Sequence, residues 1–404
     1  MLAQVSLSSS LTSSWSLSSS SLSVKYALST TTYNDFTARS GGTATLYNNA
    51  VYFIGGYNNG NGNWYTGILK YDISTNVWTN VLSYHVNLKI RFQHATVLYN
   101  DALYIISGAT GVGEWDSGVY KYTIATNTLT SLAPSGTFTG GWGHTATLYN
   151  DDIYIIGGIN MGTRQRNGVV KYSISSNTYS SVTTSGITLP STEGHTATLY
   201  NDEIYVIGGL NDQDYVKNSV SKFNIATSVW TTVTTSGVTF PGRWGHGAYL
   251  FNGAIYILGG SYLTTGYYGD FRSDIYMLDI ATSKWRSITP TGTWVGRTWF
   301  GSVSYNNVMY VFGGESTSVG VRNDVVTLTY IPQGIIVIIS SSSSHDGYYY
   351  SYSYSYHTQL LSSSHNNYHY HYYYYHYHYY YYHKYQQYHQ HQHQHNHQRQ
   401  HHIL

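Results

Sequence analysis

None of the 404 residues is cysteine, so disulfides and thiol chemistry are excluded. Charge is scarce too. Charged side chains make up 9% of the chain, and up to residue 332 the 17 basic ones balance 17 acidic ones, which leaves no electrostatic footprint for nucleic acid. The apolar run Ile335 to Ile339 is far too short to span a bilayer. Residues 1–22 lack the basic start and compact apolar stretch of a secretory signal. There is no Asn-x-Ser/Thr acceptor, as expected of an unglycosylated cytoplasmic chain. A His-Glu-x-x-His zinc pair, a Gly-x-x-x-x-Gly-Lys phosphate loop and a Gly-x-Ser-x-Gly nucleophile turn are likewise missing, so no cofactor or metal is expected.

What the chain does have is a repeat. The stretch GHTATLYNDDIYIIGG at Gly143 to Gly158 recurs, and the second glycine of its closing doublet falls at Gly56, Gly108, Gly158, Gly209, Gly260 and Gly314. Within the unit, Thr145 to Tyr149 and Ile153 to Ile156 carry the β-branched and aromatic residues of strands. Between them sits an Asn-Asp pair that tolerates the left-handed backbone of a tight hairpin. A third strand such as Val169 to Ile174 follows the doublet, then a polar turn, then a fourth strand opened by an aromatic. Four antiparallel strands in a period near 50 residues are the arithmetic of a propeller blade.

The fifth copy holds Arg243, His246, Tyr256, Gly259, Gly260 and Trp285 at the spacing by which these units resemble kelch repeats. The resemblance covers roughly residues 37 to 331, and no unit closes on the Trp-Asp of the shorter WD40 repeats. It implies an all-β, six-bladed kelch-type propeller with four antiparallel strands per blade. Domain boundaries follow as a serine-rich disordered lead-in at 1–22, the propeller at 23–332 and a disordered low-complexity tail at 333–404. The sixth copy stops after its third strand near Tyr330, while the segment around Tyr26 stands at the spacing of the missing fourth strand. An N-terminal strand is therefore expected to complete the last blade and join the ends of the ring.

The loops after the glycine doublets and the connections between blades emerge on one face, the expected recognition surface. It carries Trp64, the Glu114-Trp115-Asp116 trio, Arg164 and Arg166, Asp212, Asp214 and Tyr215, and a long loop with Tyr267, Tyr268 and Phe271. Aromatics and arginine dominate binding hot spots, although the loops of any propeller hold some. Arg39, Arg91, Arg243 and Arg297 share one repeat column, with Gly141 and Thr192 in the other two places. They either form a ring at the channel mouth suited to an acidic peptide or ligand, or tie blades together through backbone carbonyls. His94, His144, His195 and His246 form a second column whose members diverge around a ring, which favours structural hydrogen bonds over a shared metal. The tyrosine column and fourth-strand tryptophans read as core. Fifteen of the 20 histidines lie in the Tyr/His/Gln-rich tail, which reads as translated repetitive DNA, with metal binding or self-association as alternatives.

Two functions follow from the resemblance. Most proteins resembling kelch propellers are non-enzymatic interaction scaffolds, which implies a monomer that binds a protein or peptide, away from membranes and nucleic acid. The alternative is a carbohydrate-active enzyme on the same fold, similar to a sialic-acid epimerase, with Arg91, Arg243, Glu193 and His195 near the channel mouth. Galactose oxidase chemistry is out, because its copper site depends on a cysteine-linked tyrosine.

Overall fold

The computed structural model describes residues 21–27, 36–82, 88–111, 114–159, 167–190, 192–213, 215–262, 270–291, 294–316, 320–331, 337–341 and 352–356. All regular structure among them is β, and no helix is long and apolar enough to cross a membrane. Blade three sets the pattern. Its strands Thr145–Tyr149, Asp152–Ile156, Val169–Ser173 and Thr178–Val182 lie side by side in chain order, each antiparallel to the next. The first hairpin turns through Asn150 at φ 53°, and Asn48, Asn100, Asn201, Asn252 and Asn306 take the same left-handed form in the other blades. The second hairpin turns through Asn177, whose Oδ1 accepts a hydrogen bond of 2.8 Å from the Tyr172 hydroxyl. Blades one, two, four, five and six begin at Thr43–Tyr47, Ala95–Tyr99, Thr196–Tyr200, Gly247–Phe251 and Gly301–Tyr305.

A single blade exposes apolar residues on both faces, so the core lies between blades. One cluster joins Tyr52, Ile54 and Ile68 of blade one to Leu103, Ile105 and Tyr120 of blade two. Equivalent clusters fill the next four interfaces. The last, with Phe53, Tyr71 and Trp78 against Phe312 and Val325, joins blade one to blade six and closes the ring. The fourth-strand column is core, with Trp78, Leu129, Tyr179, Trp230 and Trp285 all buried. A further buried column, Phe36, Leu88, Phe138, Leu189, Phe240 and Trp294, stands three places before the arginine column. Its members roof the fourth strands: Phe36 stacks on Trp78, and Phe240 on Trp285.

The N-terminal strand Ser21–Ala27 lies beside Val325–Ile331 in the sheet of blade six and supplies its fourth strand. Its other edge pairs in parallel with Pro290–Thr291, Leu22 opposite Pro290 and Ser23 opposite Thr291. Blades four and five carry the same addition, Ser185–Gly186 beside Val229–Trp230 and Ser236–Gly237 beside Lys284–Trp285. In those blades the tryptophan follows the residue opposite serine. The matching place in blade six is Val24, so the register differs by two residues from the spacing that points to Tyr26. Sequence spacing misses this because a short parallel strand, and not the length of the connection, fixes the register.

Residues 331–404 group with 1–20 as a separate unit. Among its described residues, Val337–Ser341 pairs antiparallel with Tyr352–Tyr356. The remaining tail and the lead-in lie outside the described residues.

Candidate functional site

The channel mouth is built by the residue just before the histidine column. In all six blades it has positive φ: Gly41 67°, Gln93 52°, Gly143 68°, Gly194 61°, Gly245 62° and Trp299 52°. That turn directs the peptide groups around the axis. Each N–H donates to the equivalent carbonyl of the preceding blade, Gln93 to Gly41, Gly143 to Gln93, Gly194 to Gly143, Gly245 to Gly194, Trp299 to Gly245 and Gly41 to Trp299, at 2.7–2.9 Å. The result is a closed belt of six hydrogen bonds.

A second belt explains the glycine doublets. Gly56, Gly108, Gly158, Gly209, Gly260 and Gly314 donate to the carbonyls of Arg91, Gly141, Thr192, Arg243, Arg297 and Arg39 at 2.8–2.9 Å, always one blade further on. Their φ angles of 88–111° suit glycine, and a Cβ on Gly108 would stand 2.7 Å from the His94 Cβ.

Trp299 is the outlier of the inner belt. A bulky side chain at φ 52° is strained, and such strain collects at functional sites. Its indole extends over the neighbouring belt residues, close enough that a Cβ on Gly194 would lie 3.1 Å from it. Next outward is the column Ser40, Phe92, Trp142, Glu193, Trp244 and Thr298, each bridged to the first loop residue after its blade's doublet. Ring contacts run from Trp64 through Tyr57 to Phe92, with centroids 4.6 and 6.1 Å apart. They continue to Trp299 at 6.3 Å and on to Trp244 at 5.4 Å. Trp115 and Trp142 form a second patch at 6.1 Å. All these rings are half-buried, so each keeps part of its surface open to solvent.

The arginine column corrects the picture of an open basic ring. Arg91, Arg243 and Arg297 are 0% exposed and Arg39 4%, because each guanidinium turns into its own blade. Arg91, Arg243 and Arg297 donate to the carbonyls of Ser107, Gly259 and Gly313 at 2.9–3.0 Å. The same three pair with Asp116, Asp274 and Asp324 at 3.2, 2.6 and 2.7 Å. Arg39 donates to Thr37 and lies over the Tyr65 ring at 3.8 Å. Burial raises the Asp324 carboxyl, but hydrogen bonds from Arg297 and Arg322 outweigh it and hold the group at about 2.

The histidines are also internal. His94, His195 and His246 place Nε2 2.9–3.0 Å from the hydroxyls of Thr43, Thr145 and Thr196, each on the first strand of the preceding blade. Burial, reinforced by nearby positive charge, holds His94 and His195 well below the usual imidazole range and His246 at about 3. They are neutral ties between blades. Among the described residues no group of three His, Asp or Glu side chains is placed to hold a metal.

Of the other sequence candidates, Trp64 and Trp115 belong to the mouth surface, Tyr215 is 66% exposed on the blade-four loop and Phe271 is half-buried on that of blade five. Tyr267, Tyr268, Arg164, Arg166 and Asp214 lie outside the described residues. Phe92, Trp142, Trp244 and Trp299 were not singled out from the sequence. They fall between the arginine and histidine columns, and the interruption of small residues there by aromatics was the available signal.

Comparison with known proteins bears on this geometry. The model of the KLHDC2/KLHL20/DRC7 Kelch-repeats domain matches residues 41–260. Kelch domain-containing protein 3 of Rattus norvegicus is 32% identical over 130 residues, 31% of this chain and 33% of that protein. The tRNA wybutosine-synthesizing protein 2/3/4 of Arabidopsis thaliana is 32% identical over 101 residues, 25% of this chain and 10% of that protein. The chain thus spans a third or less of the length of these relatives. The solved structure of YjhT superposes with a TM-score of 0.61 at 18% identity, covering 73% of this chain and 96% of that one, a likeness of fold.

Proposed function

Since the chain belongs to the kelch-repeat family, we propose that it is a non-enzymatic, monomeric cytoplasmic scaffold that docks a protein or peptide segment across its mouth face. The observation that carries this reading is the aromatic surface from Trp64 to Trp244 around the strained Trp299. Half-exposed tryptophans offer large, rigid contact area at low entropic cost, which is the composition of interface hot spots. Against the enzymatic alternative, Arg91, Arg243 and His195 are committed to internal hydrogen bonds, so of its four residues Glu193 alone stands half-exposed. A general acid or base needs reach to substrate.

The test is Trp299→Gly. Glycine takes φ 52° freely, so this variant keeps the belt and removes the ring. Its stability should stay within about 1 kcal/mol of the parent, because relief of backbone strain offsets the lost packing. Partners retained by the full chain in affinity capture should be lost. A folded variant that retains them would overturn the reading.

A further inference from the structure

We propose that Asn61 is a chemical modification site, a side-chain amide that the fold leaves set for spontaneous deamidation at the rim of the mouth. The chemistry goes beyond the docking role and stands whatever the mouth docks.

The sequence holds four Asn-Gly pairs, beginning at Asn59, Asn61, Asn167 and Asn252. Glycine in second place matters because the reaction starts when the following main-chain nitrogen attacks the side-chain carbonyl, and glycine has no Cβ to obstruct the ring that forms. Two of the pairs share one loop, Asn59 to Gly62, at the tip of the hairpin that pairs Tyr57 with Trp64 and Asn58 with Asn63. Asn59, Gly60, Asn61 and Gly62 are all exposed, so solvent access does not separate the two pairs. Hydrogen bonding does.

Asn61 is poised to react. Its Oδ1 accepts the Asn63 N–H at 3.0 Å, so the oxygen that takes up negative charge on attack already has a donor. Gly62 stands at φ 72° with no other heavy atom within 4 Å of the place a Cβ would occupy, which leaves its peptide group room to turn. Asn59 is guarded at both reacting groups. Its Nδ2 donates to Glu315 Oε1 of blade six at 2.6 Å, a charge-assisted bond that pins the amide and makes its carbonyl carbon less electrophilic. The Gly60 N–H, whose nitrogen would have to attack, donates to Asn58 Oδ1 at 2.9 Å. Elsewhere, Asn252 and Gly253 form the two-residue turn closed by paired Phe251 and Ala254, at φ 46° and 70°, and Asn167-Gly168 adjoins residues outside the described ones.

In the reaction the Gly62 nitrogen bonds to Asn61 Cγ, the Cγ–Nδ2 bond breaks, and the proton of the attacking nitrogen leaves with Nδ2 as ammonia. Water then opens the five-membered succinimide at either carbonyl. Cleavage of the new bond gives an aspartate at position 61. Cleavage of the original peptide bond gives an isoaspartate, which carries the main chain through Cβ and Cγ. Either product places a carboxylate three residues from Trp64, where the aromatic surface begins.

The test holds the full chain at mildly alkaline pH, folded and in guanidinium chloride, and follows both asparagines by proteolysis and fragment mass spectrometry. In the folded chain Asn61 should convert about tenfold or more faster than Asn59, the scale set by the hydrogen bonds that Asn59 and Gly60 must give up. In the unfolded chain the two rates should come together. Glu315→Ala should speed Asn59 in the folded chain and leave Asn61 unchanged. Equal rates in the folded chain, faster reaction at Asn59, or an intact folded Asn61 after the unfolded chain has reacted would each overturn the proposal. So would a preference for Asn61 that persists in guanidinium, because the selectivity would then belong to local sequence and not to the fold.

Discussion

Ser107 and Gly141 are a matched exception. Ser107 replaces the first glycine of the blade-two doublet, and Gly141 replaces the arginine of the next blade. The serine hydroxyl donates to the Gly141 carbonyl and accepts from its N–H, both at 2.8 Å, in space that an arginine stem would need. Where arginine is present its role is structural, and its removal should show in stability. Arg243→Ala leaves the Asp274 carboxylate and the Gly259 carbonyl without their donor. A loss of about 3 kcal/mol is expected in chemical denaturation, with Arg243→Lys recovering less than half because an ammonium lacks the fork. The sequence placed these arginines in one column but did not show which way they point. Spacing fixes position along a strand; the inward turn depends on aspartates 25 to 31 residues further on, whose own places in the repeat vary.

At the scale of strands and loops, the hairpins, glycine doublets and fourth-strand aromatics were readable because each is a local requirement met by a local residue type. The N-terminal strand was also legible, since a ring of six leaves one place vacant. The parallel additions Ser185–Gly186 and Ser236–Gly237 were not, because two residues carry no periodicity. The two inter-blade belts were invisible for a related reason: their partners lie a blade apart and are backbone groups. Truncation of residues 1–27 removes the fourth strand of blade six and the partner of Pro290–Thr291. The melting temperature should fall by 10 °C or more, on the order of several kcal/mol for a domain of this size. A melt that does not move would reject the closure.

For the ring as a whole, the histidine ties make stability a function of acidity. His94, His195 and His246 are neutral when folded and titrate near 6.5 when unfolded. Above that value they contribute no pH dependence. As pH falls below 6.5 the unfolded chain takes up protons the folded ring refuses, at about 1.4 kcal/mol per histidine per pH unit, until the folded groups protonate, near 3 for His246. Asp324 adds its loss lower down, between about 4 and 2. The melting temperature should therefore drop steeply between pH 6.5 and 4.5, and His195→Gln with His246→Gln should flatten that slope. An equal slope in the double variant would assign acid sensitivity elsewhere. Gly42 and Phe300, which hold the column's other two places, leave the junctions of blade six with blades one and five without such a histidine.

The borrowed strand also has a consequence in time. Ser21–Ala27 leaves the ribosome some 300 residues ahead of Val325–Ile331, with which it pairs. At roughly 5–20 residues per second it waits on the order of 15–60 s with both edges unsatisfied. During synthesis the opening strand is thus the segment most open to capture by a chaperone or by another nascent chain, and the gap it leaves in blade six accepts the same strand from a neighbour.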